Sequence, residues 1–330
     1  MRSYIIHKAV AIKKSFSRRR FLRVGGLGVA GGVVSLQASG NLSSRFVGER
    51  LAELGKPSLP VSHKPKPSEW GSDKISASWL GHSTILINFY GLNVITDPVL
   101  FSRVGANFGL GTLGPMRRQA CALHPNEVPK IDLVLLSHAH FDHFDIPSLA
   151  ALQGQPHAVT ARNTSDLLRD TGLTKHSELG WGQSKVIHTA KGDIEVEAFQ
   201  VRHWGARWRH DTYRGFNGYI LSRGGKKIIF GGDTAVCEHF KELRAKGPFE
   251  FACMPIGAYN PWIMSHCNPE EAVKMANDAG AERILPMHHY TFRFGREVCT
   301  EPIQRLQRAL ASHPERLGWK EAGETFTLNA

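Results

Sequence analysis

The sequence predicts an α+β protein in which two β-sheets pack face to face and helices cover their outer faces. Three observations support this fold class. Short apolar runs separated by turn residues recur in two halves of the chain, and helical patterns follow the strands in each half. Residues 131–136 form an apolar run that is typical of a strand buried on both faces. Because a sheet must bury its apolar face, two strand-rich halves favour two facing sheets.

The predicted elements follow one another in a simple order. Three strands come first, at residues 75–80, 84–90 and 92–96, and a tight turn at Tyr90-Gly91 joins the last two. The buried strand at 131–136 follows, and strands and helices alternate after it. The later strands are predicted at residues 194–201, 218–221, 227–230, 251–255 and 283–286, and the helices at 147–152, 164–171, 235–246, 269–279 and 301–312.

Length and composition describe a globular chain. Its 330 residues suffice for one large domain or two small ones, and 42% are apolar while 21% are charged. No apolar run after residue 40 is long enough to span a bilayer. The five cysteines are odd in number and form no C-x-x-C pair, so we expect no disulfide framework and mostly buried thiols. They are Cys121, Cys237, Cys253, Cys267 and Cys299.

The positive charge is concentrated at the N-terminus. Residues 1–23 carry eight Lys and Arg residues and no acid, so of the net charge of +12 about +4 remains for the rest of the chain. This distribution removes the main support for a nucleic-acid partner. A basic segment at 17–23, an uncharged stretch at 24–36 and small residues near Ala38 predict an export signal over residues 1–40.

The basic segment resembles a twin-arginine signal at Ser17, Arg18, Arg19, Phe21 and Leu22. This predicts the twin-arginine translocase as a partner during export and a periplasmic protein, with the signal either cleaved near residues 38–40 or kept as a membrane anchor. A basic amphipathic surface helix is the alternative, but five glycines between 25 and 32 disfavour it. Residues 41–70 are polar and Pro-containing, which predicts a linker or wrapping arm before a domain at 71–330.

Potential metal ligands cluster directly after the buried strand. His138, His140, Asp142 and His143 lie within six residues, enough to give two neighbouring metals two ligands each. A strand end that opens into a loop can aim such side chains into a cleft. Imidazole and carboxylate ligands together favour Zn²⁺, with Fe or Mn as alternatives. A histidine-rich surface loop without metal is the competing interpretation.

Two further candidates also follow strands. His203 comes after the strand at 194–201, and Asp233 lies in a Gly-Gly-Asp-Thr turn after the strand at 227–230. A carboxylate has two oxygens and can span metals about 3.5–4 Å apart, which a single imidazole cannot. The alternative for Asp233 is an ordinary turn residue. His266, just before the helix at 269–279, is a further candidate for the site, and its alternative is a residue that only flanks this helix.

The H-x-H-x-D-H motif after an apolar strand resembles the metallo-β-lactamase superfamily. Across roughly residues 75–310 the chain is similar to N-acyl-phosphatidylethanolamine-hydrolysing phospholipases D and their bacterial relatives, and more distantly to lactonases of sugar phosphates. The matching motifs are Gly81-His82-Ser83-Thr84, Thr96-Asp97-Pro98, His203-Trp204, Gly232-Asp233-Thr234, Ile256-Gly257-Ala258-Tyr259, and His266 with Asn268-Pro269-Glu270-Glu271-Ala272. The resemblance implies an αββα sandwich, with residues 71–330 as the hydrolase domain.

The resemblance also implies roles for single residues. It assigns His138, His140 and His203 to one metal, Asp142, His143 and His288 to the other, and Asp233 to both. Aligning the family's His-x-x-Thr-Phe pattern onto residues 288–292 selects His288 over the adjacent His289, and only one of the two can easily point inward. His266 would lie beside the substrate as a general acid or oxyanion donor. From their positions in the sequence, His82 is expected to pack near the site or support a ligand, Asp97 to orient a ligand, and Asp145 to cap the helix at 147–152.

The implied chemistry is hydrolysis by a bridging hydroxide, with Asp142 orienting the nucleophile. Apolar residues and arginines between Phe101 and Arg118 favour a lipid phosphodiester substrate and contact with a membrane surface. In this interpretation Arg117-Arg118 lie near the headgroup, and the exposed apolar residues are Phe108, Leu110, Leu113 and Met116. A flexible loop with core anchors is the alternative. Hydrolysis of a lactone or another cyclic ester or amide, and a redox or non-catalytic metal module, compete with this function. His140 disfavours the redox class, whose relatives carry Glu there, and Asp233 disfavours β-lactams, since many β-lactamases carry Cys.

Overall fold

The structure, a computed structural model, describes residues 57–107 and 112–328 together with Glu53. Lys56–Ala330 form one compact unit. The predicted export signal at 1–40, residues 41–52 and 54–56 of the predicted linker, and the loop residues Phe108 and Leu110 lie outside the described residues. Among the helices of the described part, none is both long and apolar enough to cross a membrane.

The first sheet has seven strands and contains the strand that precedes the histidine motif. In spatial order the strands are β15 (Thr325–Leu328), β1 (Ile75–Gly81), β2 (Thr84–Phe89), β3 (Leu92–Thr96), β6 (Leu133–Leu136), β7 (His157–Ala161) and β8 (His176–Leu179). Antiparallel pairing joins β15, β1, β2 and β3, and parallel pairing joins β3, β6, β7 and β8. Consequently β1, β3 and β6 all point in the same direction.

The second sheet has six strands. In spatial order they are β14 (Ala281–Met287), β13 (Phe249–Pro255), β12 (Lys226–Phe230), β11 (Gly218–Arg223), β10 (Gly192–Phe199) and β9 (Ser184–Thr189). The pairing is antiparallel from β9 to β12 and parallel from β12 to β14, so β10, β12 and β14 end at the same edge. A two-stranded ribbon, β4 (Ala106–Asn107) and β5 (Thr112–Leu113), lies outside both sheets.

Alternation of side chains along the strands builds three apolar layers. In β1 and β2, residues such as Trp79 and Ile87 pack against Leu221 and Phe251 of the second sheet, whereas Leu86 faces the opposite layer. The outer layers are covered by helices: α1 (Ile146–Ala151), α2 (His239–Leu243), α3 (Tyr259–Trp262), α4 (Pro269–Ala279) and α5 (Glu301–Ala309). Helix α1 packs on the first sheet, and α2, α4 and α5 pack on the second. The predicted αββα sandwich is confirmed.

Most differences from the predicted elements occur at sheet edges. Strands β8, β9 and β15 were not predicted, because each is an outermost strand with a half-exposed, polar pattern. The interior strand β7 was also missed. The helix predicted at 235–246 begins only at His239, and residues 164–171 form a 3-10 helix over Ser165–Asp170. The five cysteines are free, as expected, but Cys253 and Cys267 alone are fully buried.

Candidate metal centre

The predicted ligands converge because they follow strands that end at one edge of their sheet. The segment His138–His143 follows β6, His203 follows β10, Asp233 follows β12 and His288 follows β14 directly. Parallel strands bring their carboxyl ends to a common edge, so the topology gathers residues that are up to 150 positions apart. The structure brings all seven predicted metal ligands into one cluster.

His138, His140 and His203 form the first part of the cluster. The Nδ1 atom of His140 lies 2.8 Å from Nε2 of His138 and 3.3 Å from Nε2 of His203. The outer nitrogens are held from behind, since Nδ1 of His138 contacts the hydroxyl of Ser137 and Nδ1 of His203 donates to the carbonyl of Ser265. Those hydrogen bonds leave three ring nitrogens facing a common point, as a metal with imidazole ligands requires.

Asp142, His143 and His288 form the second part. Oδ2 of Asp142 lies 3.5 Å from Nε2 of His143 and 3.7 Å from Nε2 of His288. The two imidazole rings stack at an interplanar angle of 18°, with centroids 5.3 Å apart. Both nitrogens and the carboxylate oxygen therefore face the same volume.

Asp233 lies between the two parts. Its Oδ2 is 3.1 Å from Nε2 of both His143 and His288, and 3.8 Å from Nε2 of His203. The carboxylate is 3% exposed, and its Oδ1 lacks a hydrogen bond in the described residues. A carboxylate that contacts ligands from both parts has the position required of a bridge between two ions.

The donor set fits two divalent metals. Within the described residues, Nε2 of His143, Nε2 of His288 and Oδ1 of Asp233 are buried without a hydrogen bond of acceptable geometry. A buried polar atom left unpaired costs about 1–3 kcal/mol, so several converging ones indicate a cation site more than a packing defect. Nitrogen and carboxylate ligands favour Zn²⁺, Fe or Mn over Ca²⁺ or Mg²⁺.

Electrostatics differ between the two parts. Burial lowers the pKa of His138 and His203 well below the usual value and that of His140 to about 4, so these rings are neutral and can ligate at once. Burial opposes protonation of His288 too, but the carboxylates of Asp233 and Asp142 outweigh it and raise its pKa to about 9. A metal in the second part would therefore replace a proton.

Two residues support the ligands from behind, as the sequence predicted. Oδ2 of Asp97 lies 2.7 Å from Nδ1 of His143, and its Oδ1 accepts from the backbone N–H of Ser137 at 2.7 Å. His82 was expected either to pack near the site or to support a ligand, and it does the latter, with 2.8 Å between its Nε2 and Oδ2 of Asp142. Asp145 accepts from the backbone N–H of Ser148 and caps α1 as predicted.

His266 and His289 occupy different environments. The Nδ1 atom of His266 lies 3.8 Å from Oδ2 of Asp233 and lacks a hydrogen bond in the described residues. His266 is therefore close enough to act on a substrate at the site. The ring of His289 stacks on Trp79 with centroids 4.5 Å apart, inside the sandwich. This packing leaves His288 as the residue of the pair that faces the cluster.

Sequence reasoning missed several contacts of the ligand loop. Backbone carbonyls such as that of Ser265 carry no side-chain signal, so their role appears only in the folded chain. Arg207 donates to the carbonyl of Ala139, within the segment His138–His143, and to that of Phe144, directly after it, and no sequence motif marks this arginine. Trp204 packs its ring 4.7 Å from that of His140. Its place beside His203 in a matching motif was the available signal.

The expected position of Arg117 is wrong. Its side chain is 2% exposed and donates to the carbonyl of Val99, so it cannot meet a headgroup. It lies under the turn that carries His82, where a Cβ on Gly81 would come within 2.8 Å of Nη2. Arg118 is half-buried, with its guanidinium over the ring of Tyr290. Leu113 is exposed as expected, whereas Met116 is half-buried.

Comparison with known proteins agrees with this geometry. The Beta-lactamase superfamily domain matches residues 93–289, more than half of the chain. An uncharacterized protein of Mycobacterium tuberculosis is 31% identical over 272 residues, which cover 79% of this chain and 71% of the relative. N-acyl-phosphatidylethanolamine-hydrolyzing phospholipase D 1 of Caenorhabditis elegans is 29% identical over 267 residues, with 76% and 74% covered.

A solved structure shares the fold. The isothiocyanate hydrolase from Delia radicum gut bacteria superposes with a TM-score of 0.61 at 16% identity, over 77% of this chain and 100% of that chain. At this identity the likeness concerns the architecture alone. The sandwich is thus an architecture that this chain shares with a distant protein, and shared architecture does not by itself specify a substrate.

Proposed function

The chain belongs to the metallo-β-lactamase superfamily of metal-dependent hydrolases, and on that premise we propose that it is a phosphodiesterase that cleaves N-acyl-phosphatidylethanolamine-like phospholipids. The position of Asp233 is the observation that supports hydrolysis by two metals. Its Oδ2 lies 3.1 Å from Nε2 of both His143 and His288 and 3.8 Å from Nε2 of His203. Similarity to phospholipases D over about three quarters of the chain supports the substrate.

Each ligand has a defined task in this proposal. His138, His140 and His203 would hold one divalent metal, most simply Zn²⁺, and Asp142, His143 and His288 would hold the other, with Asp233 close to ligands of both. Two such ions would lower the pKa of a bound water towards about 7 and neutralise charge on the phosphoryl oxygens.

Other residues would position the reacting groups and stabilise the charge that develops on them. Asp142, held by His82, would orient the attacking water by accepting a hydrogen bond from it. Burial lowers the pKa of His266 to about 4, so this ring is neutral at pH 7. A neutral imidazole still carries one N–H, and through it His266 donates a hydrogen bond to the leaving or phosphoryl oxygen as charge develops there.

Exposed apolar side chains near the site support a lipid substrate. Trp204 is 44% exposed and its ring lies 4.5 Å from that of His203. Trp262 and Met264, 46% and 67% exposed, lie in the segment that leads to His266. Exposed apolar groups around a polar centre fit acyl chains and contact with a membrane surface, where indole rings are favoured.

A substrate panel tests the proposal. Zinc-loaded protein is offered N-acyl-phosphatidylethanolamine in mixed micelles, a chromogenic phosphodiester, a lactone and a cephalosporin. We expect hydrolysis of both phosphodiesters, abolished in Asp233→Ala prepared in parallel to exclude a contaminating enzyme. Turnover of the lactone alone would replace the proposal by lactonase activity, and turnover of none of the four would favour a metal-binding module.

We also propose that the protein acts in the periplasm after export by the twin-arginine translocase. The support is the Ser17-Arg18-Arg19 segment with Phe21 and Leu22, in residues outside the described part. Replacing Arg18 and Arg19 with Lys should leave the precursor in the cytoplasm, as measured by cell fractionation. Unchanged periplasmic appearance of the variant would contradict this route.

A further inference from the structure

Arg207 contacts the loop that carries four of the metal ligands through Ala139, Phe141 and Phe144, and we infer that it is a positioning residue that fixes the distance between the two metals. The inference rests on the proposed two-metal site. It concerns the loop His138–His143, which supplies two ligands to each metal, and the guanidinium that contacts this loop at both ends.

The hydrogen bonds of Arg207 join the two halves of the ligand loop. Its Nη1 donates to the carbonyl of Ala139 at 3.0 Å and to the carbonyl of Phe144 at 2.8 Å. Ala139 stands between the two histidines of one metal, and Phe144 follows His143 of the other. Because one nitrogen binds both carbonyls, the two ligand pairs cannot separate without breaking one of these bonds.

Aromatic packing holds the middle of the same loop. The Cζ atom of Arg207 lies 3.9 Å from the ring centroid of Phe141, which separates the pairs in sequence. On its edge Phe141 contacts the indole of Trp208, with ring centroids 5.0 Å apart. The guanidinium therefore contacts the loop at three successive points, through two hydrogen bonds and one cation–π contact.

An arginine suits this position for physical reasons. Burial lowers the pKa of Arg207 to about 10, so the side chain stays protonated at neutral pH. Its planar group can lie flat on Phe141 while an edge nitrogen points at two carbonyls. A lysine ammonium keeps the charge but cannot reproduce both contacts.

The consequence is a change in the metal site without loss of any ligand. Partners that orient metal ligands typically contribute about 10–100-fold in metal affinity. Without the contacts of Arg207, the two pairs of metal ligands in this loop could move apart. That movement would alter the magnetic coupling between the two metal ions and lower the affinity for each ion. A purely structural role would lower thermal stability without changing either quantity.

The test uses the full-length protein and Mn²⁺ as the probe. Arg207→Met removes the donors and keeps the apolar stem, Arg207→Lys keeps the charge, and Arg209→Met is the matched control. Arg209 is exposed, lies in the same loop and makes no hydrogen bond or ion pair within the described residues. Manganese affinity is measured against a competing chelator, manganese–manganese coupling by electron paramagnetic resonance, and folding by circular dichroism.

We expect Arg207→Met to bind Mn²⁺ about 10–100-fold more weakly and with altered coupling, Arg207→Lys to be intermediate, and Arg209→Met to match the parent protein. Unchanged affinity and coupling in folded Arg207→Met would overturn the inference, even if its melting temperature fell. If Arg207→Met does not fold, Arg207→Lys is used instead, and unchanged Mn²⁺ affinity and coupling in that variant would overturn the inference.

The two proposals fail in different ways. A parent protein that binds a single Mn²⁺ per chain would overturn the two-metal site and this inference with it. Two coupled ions in a parent protein that leaves phosphodiesters intact would contradict the substrate alone. In that case the role of Arg207 still rests on affinity and coupling, which need no substrate.

Discussion

His82 holds Asp142 through a hydrogen bond of 2.8 Å between Nε2 and Oδ2. The backbone of His82 is itself fixed, since its carbonyl accepts from the indole of Trp79 at 2.6 Å and from the N–H of His288 at 2.9 Å. Burial lowers the pKa of His82 to about 3, so the ring is neutral and Nε2–H is the donor. The bond connects a turn after β1 with the loop after β6 and so orients Asp142.

Loss of this hydrogen bond should lower the affinity for one metal more than for the other. In His82→Phe the carboxylate of Asp142 can rotate, and the affinity of the metal that it shares with His143 and His288 should fall about 10–100-fold. In His82→Gln the side-chain amide can donate from a similar position and should restore part of the affinity. Isothermal titration with Zn²⁺ measures both variants, and equal affinities in all three proteins would show that Asp142 needs no partner.

Asp233→Ala should lose at least one metal. Its carboxylate faces ligands of both ions, and without it their positive charges would repel at short range. Elemental analysis of protein purified without chelator measures the stoichiometry. Asp193→Ala, at an exposed carboxylate on β10, is the control and should keep the metal content of the parent protein. Full occupancy in Asp233→Ala would remove the bridging role.

His266→Ala should separate metal binding from turnover. Because the seven assigned ligands supply both metals without His266, the variant should keep two metals and the fold. The hydrolysis rate should fall by about 10²–10³, the range for loss of one hydrogen-bond donor to a developing oxyanion. Loss of metal in this variant would instead make His266 a ligand and reopen the assignment of His288.

The stability of the metal-free protein should pass through a maximum near neutral pH. Burial lowers the pKa of His82 to about 3 and of His140 and His266 to about 4, so below about pH 6.5 the unfolded chain binds protons that the folded chain does not. The raised pKa of His288, about 9, has the opposite sign, and its contribution is lost as pH rises through that value.

Guanidinium unfolding in the presence of a chelator measures this profile. We expect the free energy of unfolding to fall towards both about pH 5 and about pH 9.5, and added Zn²⁺ to remove much of the alkaline loss, because the ion replaces the proton. A monotonic rise of stability from acid to alkaline pH would show that His288 holds no extra proton.

Much of the fold and of the site was predictable from local patterns. The strands that precede the ligands all end in buried residues, so their ends could be located, and four potential ligands within the six residues from His138 to His143 strongly favour a metal site. The prediction that Asp97 orients a ligand, made from its place before Pro98, is confirmed by its contact with His143. Edge strands such as β9 were not predicted, because most of their side chains are exposed and the alternation of apolar and polar residues is weak.

Contacts between distant segments were not predictable. The choice between His288 and His289 depends on the stacking of His289 on Trp79, two residues 210 positions apart. Arg117 looks like a surface residue in the sequence, yet it is buried beneath the turn of Gly81. Arg207 acts on backbone carbonyls, which are the same in every residue. Such roles follow from the path of the chain and leave no motif.

Anomalous diffraction from crystals of the metal-loaded protein shows directly whether the cluster binds two metals. We expect two peaks per chain, one coordinated by His138, His140 and His203 and one by Asp142, His143 and His288. A separation of about 3.5–4 Å, with Asp233 contacting both, would match a two-metal hydrolytic site. A single peak, or two peaks that do not share Asp233, would contradict it.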